Sequence, residues 1–182
     1  DVYRAAYPGL PIIGVVPVIK TAAERTRTKK FIVLSTDLTA KSSYQKQLVD
    51  QFASDCTVSM VGSSLLVPLI EAGETSSERI RKELLTVLGP YLHRGVDIVV
   101  LGCTHFPFVL ESIRAIVGDA VAILDSGDAV ARHTQRILAA TGKAAVSRHP
   151  GYEFFTTGNA TTTGRVAAKL IQKRIHVHHV TI

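Results

Sequence analysis

The sequence predicts an α/β fold in which helices flank a largely parallel sheet. Short apolar runs alternate with amphipathic stretches along all 182 residues. Some of these runs, such as Ile98 to Leu101, are continuously apolar, as in strands that are buried on both faces. Because strand and helix patterns alternate along the chain, parallel pairing is favoured over a meander of hairpins.

The predicted strands are short apolar runs, and the predicted helices are apolar stripes at helical spacing. The strands are Pro11 to Val16, Phe31 to Ser35, Cys56 to Val61, Asp97 to Gly102, Ala120 to Leu124 and Tyr152 to Thr156. The helical stripes are Tyr44, Leu48, Val49 and Phe52; Ile80, Leu84, Leu88 and Leu92; and Val109, Ile113, Ile116 and Val117.

The segments around these elements carry signals for starts, stops and loops. Thr75 and Glu78 predict a capping box at the start of the second helix, and Gly118 predicts the end of the third. The polar stretch from Thr141 to Gly151 predicts a long loop. The basic stretch from Lys169 to Ile182 predicts a frayed terminus.

Composition excludes several classes of protein. With 46% hydrophobic and 20% charged residues, the chain is neither a disordered tail nor a collagen-like fibre. Two cysteines exclude a disulfide scaffold and favour the reducing cytoplasm. No apolar run approaches the roughly 18 residues of a membrane helix. The first residue is Asp1 rather than methionine, which indicates a processed chain or a fragment, so the lack of a signal peptide excludes little.

The most informative segment follows the strand predicted to end at Gly102. Ligands bind at the carboxyl ends of parallel strands, and Cys103, Thr104 and His105 lie in the turn at such an end. Pro107 suits the first turn of a following helix. The positive end of that helix and the neighbouring histidine both favour the thiolate, and free N–H groups in the turn can hold a carboxylate. The alternative is that Cys103 is a small buried apolar residue.

Other polar residues are weaker candidates. Thr39 and Ser43 follow a neighbouring strand and could bind a carboxylate or an ammonium group, although such hydroxyls are equally expected as helix caps. Glu71 could lie near a site or could be a solvated residue at a helix end. Asp125 is typical of a residue that caps the next helix. Cys56 opens its strand at the wrong end for a ligand site.

The remaining polar groups favour structural roles. The segment from Thr156 to Gly164 lacks the lysine and glycine spacing of a P-loop, so a turn with helix caps is favoured. The histidines at 176, 178 and 179 could bind a metal, but a frayed terminus is the preferred interpretation, so no metal site is predicted. The net charge of the chain is +6, but its basic cluster contains no interleaved aromatic residues. This disfavours nucleic-acid binding.

The segment Leu101-Gly102-Cys103-Thr104-His105-Phe106-Pro107 resembles the glutamate racemases of the aspartate/glutamate racemase superfamily. Further segments match the family pattern in the same order and span nearly the whole chain. They are Gly14 to Lys20, Ser35 to Tyr44, Val67 to Glu71, Leu124 to Gly127 and Glu153 to Gly158.

The resemblance implies two similar α/β domains that face each other across the active site. Each domain supplies one catalytic cysteine, and no cofactor is used. The implied reaction is the interconversion of L- and D-glutamate by a cytoplasmic enzyme, often a homodimer, that supplies D-glutamate for peptidoglycan. Cys103 and His105 would be catalytic, and Thr104 and His105 would bind substrate. Thr39 and Ser43 are further substrate-binding positions, and Glu71 would be auxiliary.

The sequence departs from the family in its first half. The family's Asp-Ser, P-Y-G and C-N-T motifs, the last of which holds the first cysteine, are absent from this sequence. Residues 15–127 would then be a complete second domain, and residues 1–14 and 128–182 a remnant of the first. We therefore expect little racemase activity from this chain alone. An aspartate or hydantoin racemase relative, or a truncated pseudo-enzyme that acts as an interaction domain, remain the alternatives.

Overall fold

The computed structural model describes residues 2–146 and 151–182, and it confirms an α/β fold with parallel sheets. The main sheet has four parallel strands in the spatial order β2-β1-β3-β4, and a second sheet pairs β5 with β6 in parallel. The strands are β1 (Lys30–Ser35), β2 (Thr57–Gly62), β3 (Ile98–Leu101), β4 (Ala122–Leu124), β5 (Phe154–Thr156) and β6 (Val177–His179).

Helices occupy most of the connections between these strands. They are α1 (Val2–Ala6), α2 (Ile19–Arg25), α3 (Asp37–Ala40), α4 (Ser43–Phe52), α5 (Leu66–Glu71), α6 (Glu78–Leu92), α7 (Leu110–Val117), α8 (Gly127–Ala140) and α9 (Ala160–Ile171), with a 3-10 helix (Phe106–Val109) before α7. The three helices predicted from apolar stripes are confirmed as α4, α6 and the pair formed by the 3-10 helix and α7. Gly118 ends α7 with a φ of 75°, as expected for a glycine stop.

The main sheet is covered by helices on both faces. Successive residues of a strand point to opposite sides of the sheet, so each central strand supplies side chains to both apolar layers. One face packs against α5, α6 and α7, and its buried strand residues are Ile32, Leu34, Val61, Val99 and Leu101. The other face packs against α2 and α4, and its strand residues are Phe31, Val33, Ile98 and Val100. Two apolar layers therefore cover the central strands, which explains their continuously apolar sequences.

The strand register brings three loops to one edge of the main sheet. Leu34 pairs with Leu101, and Val100 pairs with Leu124, so β1, β3 and β4 all end at this edge. The backbone N–H of Gly102 donates to Leu34 O at 2.7 Å. A Cβ on Gly102 would lie 3.2 Å from that same oxygen, so glycine allows the close approach of the two strand ends.

The strand predicted from Pro11 to Val16 is wrong, because these residues are irregular in the structure. Pro11 begins the run and Pro17 follows it. Neither proline can donate a backbone hydrogen bond, which disfavours a ladder. The other predicted strands are confirmed with ends that shift by one or two residues.

The structure corrects two predictions, one about the start of α6 and one about the C-terminal segment. The capping box at Thr75 is wrong, because the Ser77 Oγ accepts from Ile80 N at 3.2 Å and α6 begins after Ser77. The frayed terminus is also wrong, because Val177 is buried against Gly164 and pairs with Phe154 in the second sheet. Burial of an apolar residue outweighs the basic composition of this segment.

The caps predicted before α9 are confirmed, whereas the predicted long loop is described only in part. Asn159 Oδ1 accepts from Thr162 N at 2.9 Å at the start of α9. Of the loop from Thr141 to Gly151, residues 143–146 are irregular, and residues 147–150 lie outside the described residues.

Asp97 ties the start of β3 to the loop between α2 and β1. Its carboxylate accepts from Thr26 Oγ1 at 2.6 Å, from Arg27 N at 2.6 Å and from Thr28 N at 3.2 Å. Burial acts to raise the pKa of Asp97, but these hydrogen bonds outweigh it and hold the pKa below its ordinary value of 3.8. The charged form of Asp97 therefore stabilises the fold.

We predict that Asp97→Asn lowers the free energy of unfolding by about 1–3 kcal/mol at pH 7, because the amide loses charge-assisted bonds at a buried site. Since the folded pKa lies below the unfolded one, the contribution of Asp97 is complete above the unfolded value and is lost as pH falls through the folded pKa. Urea unfolding at several pH values between 7 and about 3 measures both effects. The variant should lose less stability on acidification than the wild-type chain.

The matched control is Asp50→Asn, which removes an exposed ion pair with Lys46 and should change stability by less than about 0.5 kcal/mol. Equal effects of the two substitutions at pH 7 would show that the Asp97 bonds do not hold this loop.

Candidate active site

Cys103, Thr104 and His105 form a turn between β3 and the 3-10 helix. Phe106 N donates to Cys103 O at 3.2 Å and closes the turn, while the Phe106 ring is fully buried beneath it. Pro107 lies in the first turn of the following helix, as predicted. Within the described part of the chain, no group accepts a hydrogen bond from the backbone N–H groups of Cys103, Thr104 or His105. These N–H groups therefore keep their hydrogen-bonding capacity for water or a ligand.

The structure places His105 between Cys103 and Glu71. Cys103 Sγ lies 3.8 Å from His105 Nδ1, and His105 Nε2 lies 3.0 Å from Glu71 Oε1. With the ring proton on Nε2, the imidazole donates to Glu71 and leaves Nδ1 to accept from the thiol. Glu71, the last residue of α5, thus contacts the candidate site rather than solvent alone.

The contact between His105 and Glu71 is partly solvated. The two side chains are 32% and 64% exposed, so an ion pair between them adds little to stability. Its main effect is on the orientation and tautomer of the ring, since a carboxylate on Nε2 fixes which nitrogen faces the thiol. The three side chains can move a proton between sulfur and nitrogen.

Cys103 also faces a cavity of about 250 Å³ at the carboxyl edge of the main sheet. Three stretches of the chain line it: the segment before α2, the turn after β3, and the start of α8. The lining residues are Val15, Val16, Pro17, Leu101, Gly102, Cys103, Thr104, Pro107, Asp125, Ser126, Gly127 and Val130. His105, which contacts Cys103, and Glu71, which contacts His105, lie outside this lining, although both are described.

Asp125 caps α8, as the sequence predicted. Its Oδ1 accepts from Gly127 N at 2.6 Å at the first residue of that helix. Sequence reasoning missed that Asp125 and Ser126 also line the cavity beside Cys103. The signal was present in the order of the predicted strands, but only the pairing of β3 with β4 brings their ends together.

Thr39 and Ser43 lie near the same edge of the sheet but outside the lining of the Cys103 cavity, although both are described. Thr36 Oγ1 accepts from Thr39 N at 3.4 Å and contacts Thr39 Oγ1 at 2.8 Å at the start of α3. Ser42, rather than Ser43, caps α4 by accepting from Gln45 N. The structure therefore places Thr104 and His105 beside Cys103, and Glu71 on the far side of the His105 ring, but it does not bring Thr39 and Ser43 there.

Cys56 lies at the opposite edge of the sheet, before the first residue of β2, as expected. Burial raises the pKa of the Cys56 thiol, and the neighbouring Asp55 carboxylate, 3.5 Å from the sulfur, raises it further. Lys29 pairs with Asp55 at 2.8 Å. Cys56 is thus held in its neutral form and away from the cavity.

Two further features of the chain concern metals and membranes. Residues 2–146 and 151–182 contain no group of three or more histidine, cysteine or acidic side chains placed to hold a metal ion. His176 and His178 instead contact each other edge to face, with ring centroids 4.7 Å apart. In the same described ranges, every helix is too short or too polar to cross a bilayer.

The sequence profile of the family described as Asp/Glu/Hydantoin racemase matches residues 2–134. The chain belongs to this family. The matched range includes the Cys103 turn, α5 and the whole lining of the cavity.

Named members of the racemase family support this assignment. A glutamate racemase from Shewanella sp. (strain MR-7) is 39% identical over 132 residues, which are 72% of this chain and 48% of that protein. A glutamate racemase from Ectopseudomonas mendocina is 36% identical over 175 residues, which are 96% of this chain and 66% of that protein. The chain therefore spans between about half and two thirds of these relatives.

A solved racemase structure has the same fold. The crystal structure of Escherichia coli glutamate racemase, in complex with L-glutamate and the activator UDP-MurNAc-Ala, superposes with a TM-score of 0.78 at 30% sequence identity. The match covers 96% of this chain and 67% of the solved one.

We predict that Cys103 reacts several-fold faster than Cys56 with iodoacetamide near pH 7.5. The reason is that the raised pKa of Cys56 leaves little of its reactive thiolate, whereas Cys103 lines an open cavity beside His105. Mass spectrometry of the two cysteine peptides over time gives both rates in one sample.

Cys56→Ser is the control, since it should leave the rate at Cys103 unchanged. Equal rates at the two cysteines would contradict the prediction.

Proposed function

We propose that this chain is the part of a glutamate racemase that carries one of its two acid–base thiols, Cys103. The observation that carries the proposal is the chain of contacts from Cys103 to His105 and from His105 to Glu71, beside a small cavity that Cys103 lines. Relatives that are named glutamate racemases support glutamate as the substrate over aspartate or a hydantoin.

Racemisation needs a base on one face of Cα and an acid on the other. The Cys103 thiolate takes the α-proton, the Cα–H electron pair passes into an enolate of the α-carboxylate, and an acid on the opposite face returns a proton to Cα. In the reverse direction the Cys103 thiol donates its proton. The roles are interchangeable because a thiol and a thiolate differ by one proton.

The neighbouring residues have separate roles in this proposal. Thr104 and the open N–H groups of the turn bind the α-carboxylate and stabilise the charge that develops on it. His105 exchanges a proton with Cys103, and Glu71 orients the ring. Thr39 and Ser43 are secondary binding positions, because they lie near the same edge but outside the cavity lining.

We further propose that residues 15–127 are one domain and that residues 1–14 and 128–182 are part of a second. The buried apolar residues support this division, since those described fall between Ile19 and Val121 except for Val177. Helices α1, α8 and α9 bury no residue completely, although α8 and α9 are amphipathic. A two-stranded sheet with so little core is not stable on its own.

The second thiol of the reaction would lie on a segment outside this sequence. The sequence has two cysteines, and Cys56 is at the far edge of the sheet from the cavity. The whole enzyme, as a homodimer, would work in the cytoplasm to supply D-glutamate for peptidoglycan. The two unpaired thiols agree with a reducing compartment.

We predict that the purified chain converts L- to D-glutamate at least about 100-fold more slowly than a reconstituted enzyme, because one thiol cannot serve both faces of Cα. Reconstitution uses the portion of the Ectopseudomonas mendocina relative that this chain does not match, supplied in trans or as a fusion. The rate of D-glutamate formation is measured by circular dichroism or by chiral chromatography.

Cys103→Ser should abolish the reconstituted activity, and Cys56→Ser should leave most of it. Rapid turnover by the chain alone would overturn the two-thiol proposal. Glutamate binding without turnover in the reconstituted complex would favour an interaction domain instead.

A further inference from the structure

We propose that Glu83 is a positioning residue for the side chains that exchange a proton with Cys103. It acts through Ser63 and α5 on Glu71, which contacts the His105 ring. The inference rests on the roles proposed above for His105 and Glu71. It adds a residue of α6 that is described but does not line the Cys103 cavity.

Ser63 links α6 to the start of α5. It follows β2, is 2% exposed, and its N–H donates to Ser35 O at 3.0 Å at the end of β1. Its Oγ accepts from Leu65 N at 3.2 Å and from Leu66 N at 3.1 Å, and it donates to Glu83 Oε1 at 2.6 Å. A hydroxyl has one proton and two lone pairs, so these three bonds use its whole capacity.

The bond to Glu83 fixes the direction of the Ser63 hydroxyl. Its length of 2.6 Å is typical of a hydroxyl that donates to a carboxylate, a bond roughly twice as strong as one between neutral groups. Because the proton is held on the α6 side, both lone pairs of Oγ face the N–H groups at the start of α5. Without this carboxylate the buried hydroxyl needs another acceptor, and its lone pairs turn away from the helix.

Helix α5 depends on such directed bonds for its orientation. It has six residues, whereas an isolated helix needs about 12–15 residues to hold its shape in water. Leu66, Leu69 and Ile70 pack it against the sheet, but apolar contact is not directional. The hydrogen bonds to Ser63 Oγ therefore fix the rotation of the packed helix.

Glu71 lies where a change in this orientation has the largest effect. It is the last residue of α5, roughly 7.5 Å along the helix from Leu66. A tilt of about 10° at Leu66 moves Glu71 by about 1.3 Å, which takes its carboxylate beyond hydrogen-bond distance of His105. The present contact between Glu71 Oε1 and His105 Nε2 is 3.0 Å. Glu83 thus holds the carboxylate that orients the ring.

Three substitutions test this link. Glu83→Gln keeps an acceptor for the Ser63 hydroxyl, whereas Glu83→Leu removes the acceptor and keeps a side chain of similar size. Ser63→Ala breaks the same link without leaving an unsatisfied buried hydroxyl, so it serves if Glu83→Leu does not fold. Glu71→Ala is the reference for complete loss of the contact with the ring.

The first measurement is the nitrogen chemical shift of His105 Nε2, by NMR of the isotope-labelled full chain. At about pH 8.5 an ordinary histidine ring is neutral, so the shift reports the hydrogen bond to the carboxylate. Glu83→Leu and Ser63→Ala should move this signal in the same direction as Glu71→Ala. Glu83→Gln should leave it near the wild-type position.

The second measurement is the rate of the reconstituted enzyme. Glu83→Leu should lower kcat by about 10-fold and change KM little, because the substrate carboxylate binds at the Cys103 turn and not at α5. The double variant with Glu71→Ala should be no slower than Glu71→Ala alone, since both residues act in one chain of contacts.

Two control substitutions separate positioning from general stability. Asp97→Asn weakens the fold at the start of β3, and Glu78→Gln removes an exposed pair with Arg81 on the same helix as Glu83. Neither should move the His105 signal.

The outcomes distinguish this inference from the proposed function. A wild-type Nε2 signal in Glu83→Leu and Ser63→Ala overturns the inference, as does an equal shift in Glu83→Gln or in Asp97→Asn. If the reconstituted enzyme is inactive with the wild-type chain, the proposed function fails, and the NMR comparison still decides whether Glu83 positions Glu71.

Discussion

The pairing of β1 with β3 is the contact on which the rest of the structure depends. Both strands are buried on both faces, and their side chains supply the centre of each apolar layer. Asp97 fixes one end of this pair to the loop before β1, and the bond from Gly102 N to Leu34 O fixes the other. The Cys103 turn begins one residue after that bond, so the most deeply buried pair of strands fixes its position.

The candidate site combines this rigid turn with a short helix from elsewhere in the chain. Glu71 reaches His105 because α5 is anchored by Leu66, Leu69 and Ile70, which are all buried on one face of the sheet. The polar contacts themselves are partly solvated and add little to stability. Apolar packing therefore sets the geometry in which the thiol, the imidazole and the carboxylate act.

The two parts of the chain differ in how much core they possess. The main sheet is covered on both faces, whereas the second sheet has two strands and contributes Val177 as its one buried apolar residue among those described. Large apolar side chains such as Tyr3 in α1, Leu138 in α8 and Phe155 in β5 remain exposed. The chain spans between about half and two thirds of the relatives it matches.

The sequence by itself determined the main strands, the helices α4, α6 and α7, and the turn at Cys103, because each depends on a local pattern of apolar residues, glycine or proline. It also placed Cys56 at the far edge, because the end of a strand can be read from its neighbours. The tertiary structure alone decided that residues 11–16 are irregular, that Val177 joins a strand, and that Asp125 shares a cavity with Cys103. These outcomes depend on which strands become neighbours and on what a side chain can bury against, and neither is encoded in a local pattern.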